Sequence, residues 1–423
     1  MASKKFLVVL FVYAGIFGLL NARAWAGSTE QVLHAFNYLD GAEPFTGSLV
    51  FDSTGNLYGT TTFGDNPSCG GGCGTVFELT PGSGGKWTRT VLHSFRGGSD
   101  GFSPIGTLIV DAAGNVYGVT SYGGNSSCPN GCGTVYKLAP DGDGKWTKTV
   151  LYQFSGKDGA SPISGLTLDP AGNLYGATWQ GGKYQSCPQI GCGVVFKLTP
   201  GGQGQWNETV LHAFNGGDGS EPNGTLIFDA AGDLYGVTTT GGDYKACPGF
   251  GCGTVFKLKP EGQGQWNETV LHAFRQYDGV DPGGTLASDA AGNLYGTTSY
   301  IGKRDGSVFK LSLAGGKWTL TTLHVFSDRP AAYPTAVTLD AAGNLYGMTA
   351  ESNSGNGTVY ELTVTSNGKS NFKVLHNFNG KNGNNPQDGP ILDAAGNLYG
   401  TTAMGGNFRY CANGCGVVFK ITR

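Results

Sequence analysis

The chain has 423 residues, of which 39% are hydrophobic and 12% aromatic, enough to pack a core and to exclude a disordered polymer. Its formal net charge is −3 and only 13% of residues are charged, which leaves no electrostatic footprint for nucleic acid and no basic face for a membrane surface. Glycine is abundant at 75 residues but follows no three-residue period, so a collagen-like chain is excluded as well.

Residues 1–26 read as a secretory signal peptide. Lys4 and Lys5 form a charged start, residues 6–20 an apolar run, and Ala24-Trp25-Ala26 a cleavage site with small residues at −3 and −1. The run is too short and wrongly flanked to span a membrane. The mature chain, 27–423, is therefore expected in the periplasm or outside the cell, with no integral membrane segment after cleavage. It opens with a strand-like segment, Gln-Val-Leu-His-Ala-Phe at 31–36, that has no local partner.

From Asp52 onward one cluster built on Asp-x-x-Gly-Asn-Leu-Tyr-Gly returns seven times, starting at Asp52, Asp111, Asp169, Asp229, Asp289, Asp340 and Asp393. The spacings are 59, 58, 60, 60, 51 and 53 residues. Such a period marks one supersecondary unit repeated until a shared core is buried. In the fourth unit, 223–229 predicts a first strand, 229–233 a tight Asp/Gly turn, 234–239 a second strand, 254–258 a third and 266–274 a fourth. No segment of useful length shows a 3.6-residue hydrophobic period, so helix should be almost absent.

Four antiparallel strands in each of seven units predict an all-β, seven-bladed β-propeller. The last unit stops at its third strand, 417–422, and the orphan strand within 28–37 would supply the fourth. The N-terminal strand should thus pair with the C-terminal blade and close the ring, removing exposed sheet edges. In this topology the connectors between units, with their Asp-Gly-x-x-Pro pattern, share a face with the loops between second and third strands. Recognition residues tend to sit on such loops.

The combination Asp-Ala-Ala-Gly-Asn-Leu-Tyr-Gly, Gly-Thr-Val-Phe-Lys-Leu and Val-Leu-His-Ala-Phe resembles the GloVer tandem-repeat family of exported bacterial proteins, over essentially the whole mature chain. The resemblance implies export and a propeller-like repeat, and transfers no catalytic residue. Members of that family often carry a C-terminal surface anchor, from which this sequence departs.

Ten cysteines form five close pairs in the loops between second and third strands: Cys69/Cys73, Cys128/Cys132, Cys187/Cys192, Cys247/Cys252 and Cys411/Cys415. In an exported chain this pattern predicts local disulfides, each worth roughly 2 kcal/mol before strain. Zinc held by two pairs is disfavoured, because neighbouring pairs would have to meet across diverging blades. The six histidines (His34, His93, His212, His272, His324 and His376) share one strand position, where the third unit has Tyr152. Spread around a ring, they cannot converge on one substrate, which leaves no histidine for a dedicated general base. The turn aspartates read as caps and the strand tryptophans as packing residues. No metal and no cofactor is predicted.

Departures from the repeat's own consensus locate candidate binding residues. Trp179 stands where other units carry Ser, Thr or Ala, and could stack on a sugar ring. Units five and six have lost the cysteine pair and shortened that loop: Gly296 and Val308 are 12 positions apart, against 17 for Gly59 and Val76. Around this notch appear Arg275, Tyr277, Asp281, Lys303, Arg304, Asp305, Arg329, Tyr333 and Glu351. The expectation is a monomeric binding or interaction module for a glycan or surface polymer, with a protein partner as a further option and no nucleic acid. The alternatives are a polysaccharide lyase, with Tyr333 or Lys303 as base and Arg304 or Arg329 to neutralise a uronate carboxylate, a hydrolase, with Asp305 and Glu351 as the nominated carboxylate pair, and a purely structural envelope protein.

Overall fold

Each repeat folds around its turn aspartate. In the second unit, Asp111 Oδ1 accepts the N–H groups of Ala113 and Asn115 at 2.9 Å, while Oδ2 accepts the Asn115 amide at 2.7 Å and the Tyr117 hydroxyl at 3.1 Å. The same set recurs at Asp169, Asp289, Asp340 and Asp393. Gly114 closes the turn at φ 78°, a conformation that suits glycine. One carboxylate therefore ties a tight turn to the following strand, which fixes the spacing of Asp, Gly, Asn and Tyr.

The structure is a computed structural model that describes residues 28–45, 47–182, 187, 191–327, 331–352, 355–365 and 370–423; the segment 1–26, which the sequence reads as a signal peptide, lies outside them. Among these residues seven four-stranded antiparallel sheets form a seven-bladed β-propeller, and the helical content is three short 3-10 turns. Blade 1 comprises Val50–Phe51, Leu57–Thr61, Thr75–Pro81 and Trp87–Ser94; blade 2, Phe102–Val110, Val116–Tyr122, Thr134–Pro140 and Trp146–Gln153. Blade 3 comprises Thr167–Leu168, Leu174–Thr178, Val194–Pro200 and Trp206–Ala213; blade 4, Ser220–Phe228, Leu234–Thr240, Thr254–Gly262 and Gln265–Ala273. Blade 5 comprises Val280–Ser288, Leu294–Tyr300, Ser307–Ala314 and Lys317–Val325; blade 6, Ala331–Leu339, Leu345–Ser352, Thr358–Val364 and Ser370–Asn377. In blade 7, Ile391–Leu392, Leu398–Thr402 and Val417–Thr422 are completed by Thr29–Ala35, paired from Thr29 opposite Thr422 to Ala35 opposite Val417 with a register shift between Val32 and His34.

The core runs between blades. Phe36, Phe95, Phe154, Phe214, Phe274, Phe326 and Phe378, at the ends of the outer strands, each meet an aromatic ring of the next blade's third strand edge-on, at centroid distances of 5.0–5.4 Å. The glycine of Tyr-Gly makes room for that ring: a Cβ on Gly59 would lie 2.6 Å from Phe77. The outer-strand tryptophans also pack across blades, Trp87 on Tyr399 and Trp266 on Tyr175.

The histidines serve the same seams. His34, His93, His212 and His272 place Nε2 3.1–3.2 Å from Asp40, Asp100, Asp218 and Asp278, the connector aspartates six residues later or, for His93, seven. Tyr152 donates instead to Asp158 at 2.6 Å, and His376 meets Asn382 at 3.0 Å. These residues hold connectors.

Candidate functional site

Each connector docks on the loop of the preceding blade. The residue before the connector proline donates its N–H to a carbonyl of that loop: Glu43 to Cys415, Ser103 to Cys73, Ser161 to Cys132, Glu221 to Cys192, Asp281 to Cys252, Tyr333 to Asp305 and Asn385 to Asn356, at 2.8–3.1 Å. The proline ring then fits against a loop glycine; a Cβ on Gly74 would come within 2.5 Å of Pro104. All seven pre-proline residues are held at positive φ, between 51° and 60°. Non-glycine residues rarely adopt this conformation, which costs on the order of 1 kcal/mol or more each, and proline restricts its predecessor further. The scaffold thus forces seven variable side chains into a ring on one face.

Inside that ring opens a cavity of about 680 Å³, within the range of small-ligand sites. Its aromatic lining is Phe45, Phe63, Phe102, Tyr122, Trp179 and Tyr333, with Phe102 and Tyr122 stacked at 5.2 Å. Toward the axis the first strands present small residues, Gly47, Gly106, Ser164, Gly224, Gly284 and Thr335, and at the equivalent place in blade 7 the carboxylate of Asp388. Gly389 N–H donates to its Oδ1 at 2.7 Å and Gly47 N–H to its Oδ2 at 2.9 Å.

The electrostatics of this face are acidic. Burial pushes the carboxyl groups of Glu43, Glu221, Asp281 and Asp388 above the usual carboxylate range. At Glu221 hydrogen bonds from Trp179 and Thr240 oppose that shift, while the charge of Asp281 adds to it. The Tyr333 hydroxyl is raised by burial and by Tyr300, Asp305 and Glu351 nearby. Among the described lining residues there is no Lys, Arg or His. The arrangement offers flat apolar faces and hydrogen-bond acceptors, with no described cation to neutralise an acidic ligand.

The sequence-nominated residues divide. Trp179 and Tyr333 line this cavity, and Asp281 belongs to its strained ring. Asp305 and Glu351 lie within electrostatic reach of Tyr333, and Tyr300 meets Tyr333 edge-on at 5.6 Å. Arg275 is exposed, paired with Asp243 at 3.3 Å and with Tyr277 at 3.0 Å, away from the lining. Lys303 and Arg304 sit on an exposed turn closed by Arg304 N–H to the Ile301 carbonyl at 3.1 Å. Arg329 lies outside the described residues, as do Lys183 and Tyr184 beside Trp179. Sequence reasoning missed Glu43, Phe45, Phe63, Phe102, Tyr122 and Asp388. The available signal was position within the repeat: one place before the connector proline, and five before the turn aspartate, where Asp388 stands in place of Gly, Ser or Thr.

All five cysteine pairs are disulfides, with Cα–Cα separations of 5.1–5.6 Å. In blades 5 and 6 Asp305 and Asn356 occupy the second cysteine's place and present the same carbonyl to the connector.

Repeat and fold together define an all-β propeller built from tandem units. The chain belongs to the Gloeobacter/Verrucomicrobia repeat family, whose model matches residues 16–248 and 247–423. No curated protein matches it. Among solved structures it is similar to a protein from Lactobacillus plantarum, at 15% identity and TM-score 0.51, over 77% of this chain and 84% of that one. A candidate 6-phosphogluconolactonase from Bacteroides uniformis matches at 15% identity and TM-score 0.52, over 89% of this chain and 99% of that one. PorZ of Porphyromonas gingivalis, an essential bacterial surface component of the type-IX secretion system, matches at 15% identity and TM-score 0.50, over 88% of this chain and 46% of that one. At these identities the likeness shows the fold alone.

Proposed function

We propose that this protein is an exported binding module whose central cavity seats a carbohydrate or a segment of surface polymer. The observation that carries the reading is the convergence of Trp179, Tyr333, Phe102 and Tyr122 on one cavity beside Glu43 and Asp388. Aromatic faces suit the apolar faces of sugar rings, and carboxylates accept hydrogen bonds from hydroxyl groups. Five disulfides fit folding in an oxidising compartment, and no helix among the described residues is long and apolar enough to cross a membrane. The acidic lining favours neutral or basic glycans over uronates. Of the residues nominated for a lyase, Lys303 and Arg304 stand on an exposed turn and Arg329 lies outside the described residues, while Tyr333, the other nominated base, lines the cavity.

The test is a glycan and polysaccharide array probed with the mature chain beside Trp179→Ala and Tyr333→Ala variants. Binding that falls at least ~10-fold in both variants, about 1.4 kcal/mol each, is the expected result. Binding equal in all three proteins would move the ligand away from the cavity. Binding by none would sink the carbohydrate reading.

A further inference from the structure

Seven equivalent seams run around the outer rim. At each, the histidine or tyrosine of one outer strand and, where described, its connector residue correspond to one side chain on the next blade's outer strand. The strand registers identify that side chain as Arg89, Lys148, Glu208, Glu268, Leu320, Phe372 or Glu30, each opposite a leucine or isoleucine of the third strand. Arg89 answers Asp40 at 3.3 Å and Lys148 answers Asp100 at 2.7 Å. Phe372 stacks on His324 at 4.4 Å, and the Asn382 amide reaches Glu30 at 3.3 Å. The seam between blades 3 and 4 differs: an imidazole and two carboxylates stand together.

We propose that His212, Asp218 and Glu268 form a divalent-metal site that clamps blade 3 to blade 4. Their ligand atoms all lie within 4.8 Å of one another, with His212 Nε2 and Asp218 Oδ2 3.1 Å apart. A tetrahedral ion bound at about 2.1 Å wants ligand atoms roughly 3.4 Å apart, so the move required is small. Glu268 Oε1 is buried without a hydrogen-bond partner, so one potential ligand is already desolvated and unused. Asp218 is oriented by the Asn215 backbone N–H at 2.9 Å and the Asn215 amide at 2.6 Å, the outer-shell support that metal-binding carboxylates need. At the blade 7/1 and 1/2 seams the connector carboxylate meets Arg89 or Lys148; here a cation from solution takes that role.

One imidazole nitrogen and two carboxylate oxygens suit a first-row divalent ion such as Zn²⁺ better than Ca²⁺ or Mg²⁺, which favour all-oxygen shells. Binding uses the His212 tautomer with its proton on Nδ1, and any proton on Glu268 passes to solvent. Three protein ligands leave the fourth position to water.

The experiment titrates Zn²⁺ into the untagged, chelator-stripped mature chain by calorimetry, with thermal unfolding recorded in parallel. One ion per chain, a rise in unfolding temperature on binding, and at least a ~10-fold loss of affinity in both His212→Gln and Glu268→Gln are expected, since even outer-shell partners cost ~10–100-fold. Wild-type affinity in folded Glu268→Gln protein, or no binding by the wild type, would overturn the proposal. Tyr152→His supplies the gain: it sets an imidazole beside Asp158 and Glu208, the seam one blade earlier, and should raise the stoichiometry to two. A folded Tyr152→His chain that still binds one ion would refute seam geometry as the origin of the site.

Discussion

Two stretches of the outer rim are built from equivalent strands and carry opposite charge at one matched position, Lys148 in the first and Glu208 in the second, with His93 answered by Tyr152. At the seam between blades 1 and 2, Lys148 Nζ lies 2.7 Å from Asp100, His93 lies on the other side at 3.2 Å, and Lys148 also donates to the Asp100 carbonyl. Burial alone would raise Asp100, but the hydrogen bonds and charges of His93 and Lys148 override it and hold its carboxyl at about 2. One blade further on, Glu208 stands at Lys148's position and faces Asp158. There burial, reinforced by the Asp158 charge, pushes the Glu208 carboxyl up to about 7. The repeat tolerates both because the connector is held by the bonds it makes regardless: Ser155 N–H still caps Asp158 at 2.8 Å and Tyr152 still donates at 2.6 Å. Fold closure is thus independent of seam charge, and seam charge is free to vary.

The largest expected effect comes from removing the cation at the first seam. Lys148→Met keeps the stem's volume but leaves the Asp100 carboxylate with only His93 and the Arg96 backbone N–H at 2.9 Å. Breaking a buried pair costs ~3–5 kcal/mol, and since Asp100 is a quarter exposed, about 2 kcal/mol is expected in urea unfolding. Glu208→Gln at the matching position should be neutral or slightly stabilising at pH 8. Equal losses in the two variants would show that the position matters through packing and not charge.

A comparable loss is expected from the stapled loops. The double variant Cys128→Ala/Cys132→Ala should cost about 2 kcal/mol or less, because blades 5 and 6 already present the docking carbonyl from Asp305 and Asn356 without a disulfide. A chain that fails to fold would mean that these loops depend on the cross-link itself.

The repeat period, the strand count, the ring closure and the disulfides were legible because each rests on local chemistry: an Asp-Gly turn, an aromatic and its matching glycine, a cysteine pair four or five residues apart. The cavity was only half legible. Trp179 broke the internal consensus and could be seen, and so could Tyr333. Phe45, Phe63, Phe102 and Tyr122 look like ordinary strand or loop residues, and only the assembled ring turns them to one space. Asp388 was hidden for another reason: a carboxylate in place of Gly, Ser or Thr reads as a turn residue until the strand is known to line the axis. The charged notch of blades 5 and 6 drew attention because charge is conspicuous in a sequence, whereas exposure is not; Lys303 and Arg304 are simply exposed.

The smallest expected effect tests the acidic side of the comparison. Glu208 has a folded-state pKa of about 7 against an ordinary 4.5, so between those values the folded chain binds more protons than the unfolded one. Its contribution to stability is complete below about pH 4.5 and is lost as pH rises through 7. Asp158 and Tyr152 are the groups facing it, and neither carries a compensating charge. Glu30, Glu43, Glu221 and Asp281 are raised by burial and act with the same sign. His324 and His376, lowered by burial, act with the opposite sign below pH 6.5. Unfolding temperatures measured in chelator should therefore decline from pH 4.5 toward pH 8. In Glu208→Gln the decline should be shallower by about 1–2 °C, with the variant overtaking the wild type near neutrality. At the first seam the shift runs the other way: the stabilisation from Asp100 is lost only as pH falls below its ordinary 3.8 toward about 2, so it adds nothing to the slope in this window. If Glu208→Gln leaves the slope unchanged, the proton is not held at this seam, and the contrast between the two stretches reduces to packing.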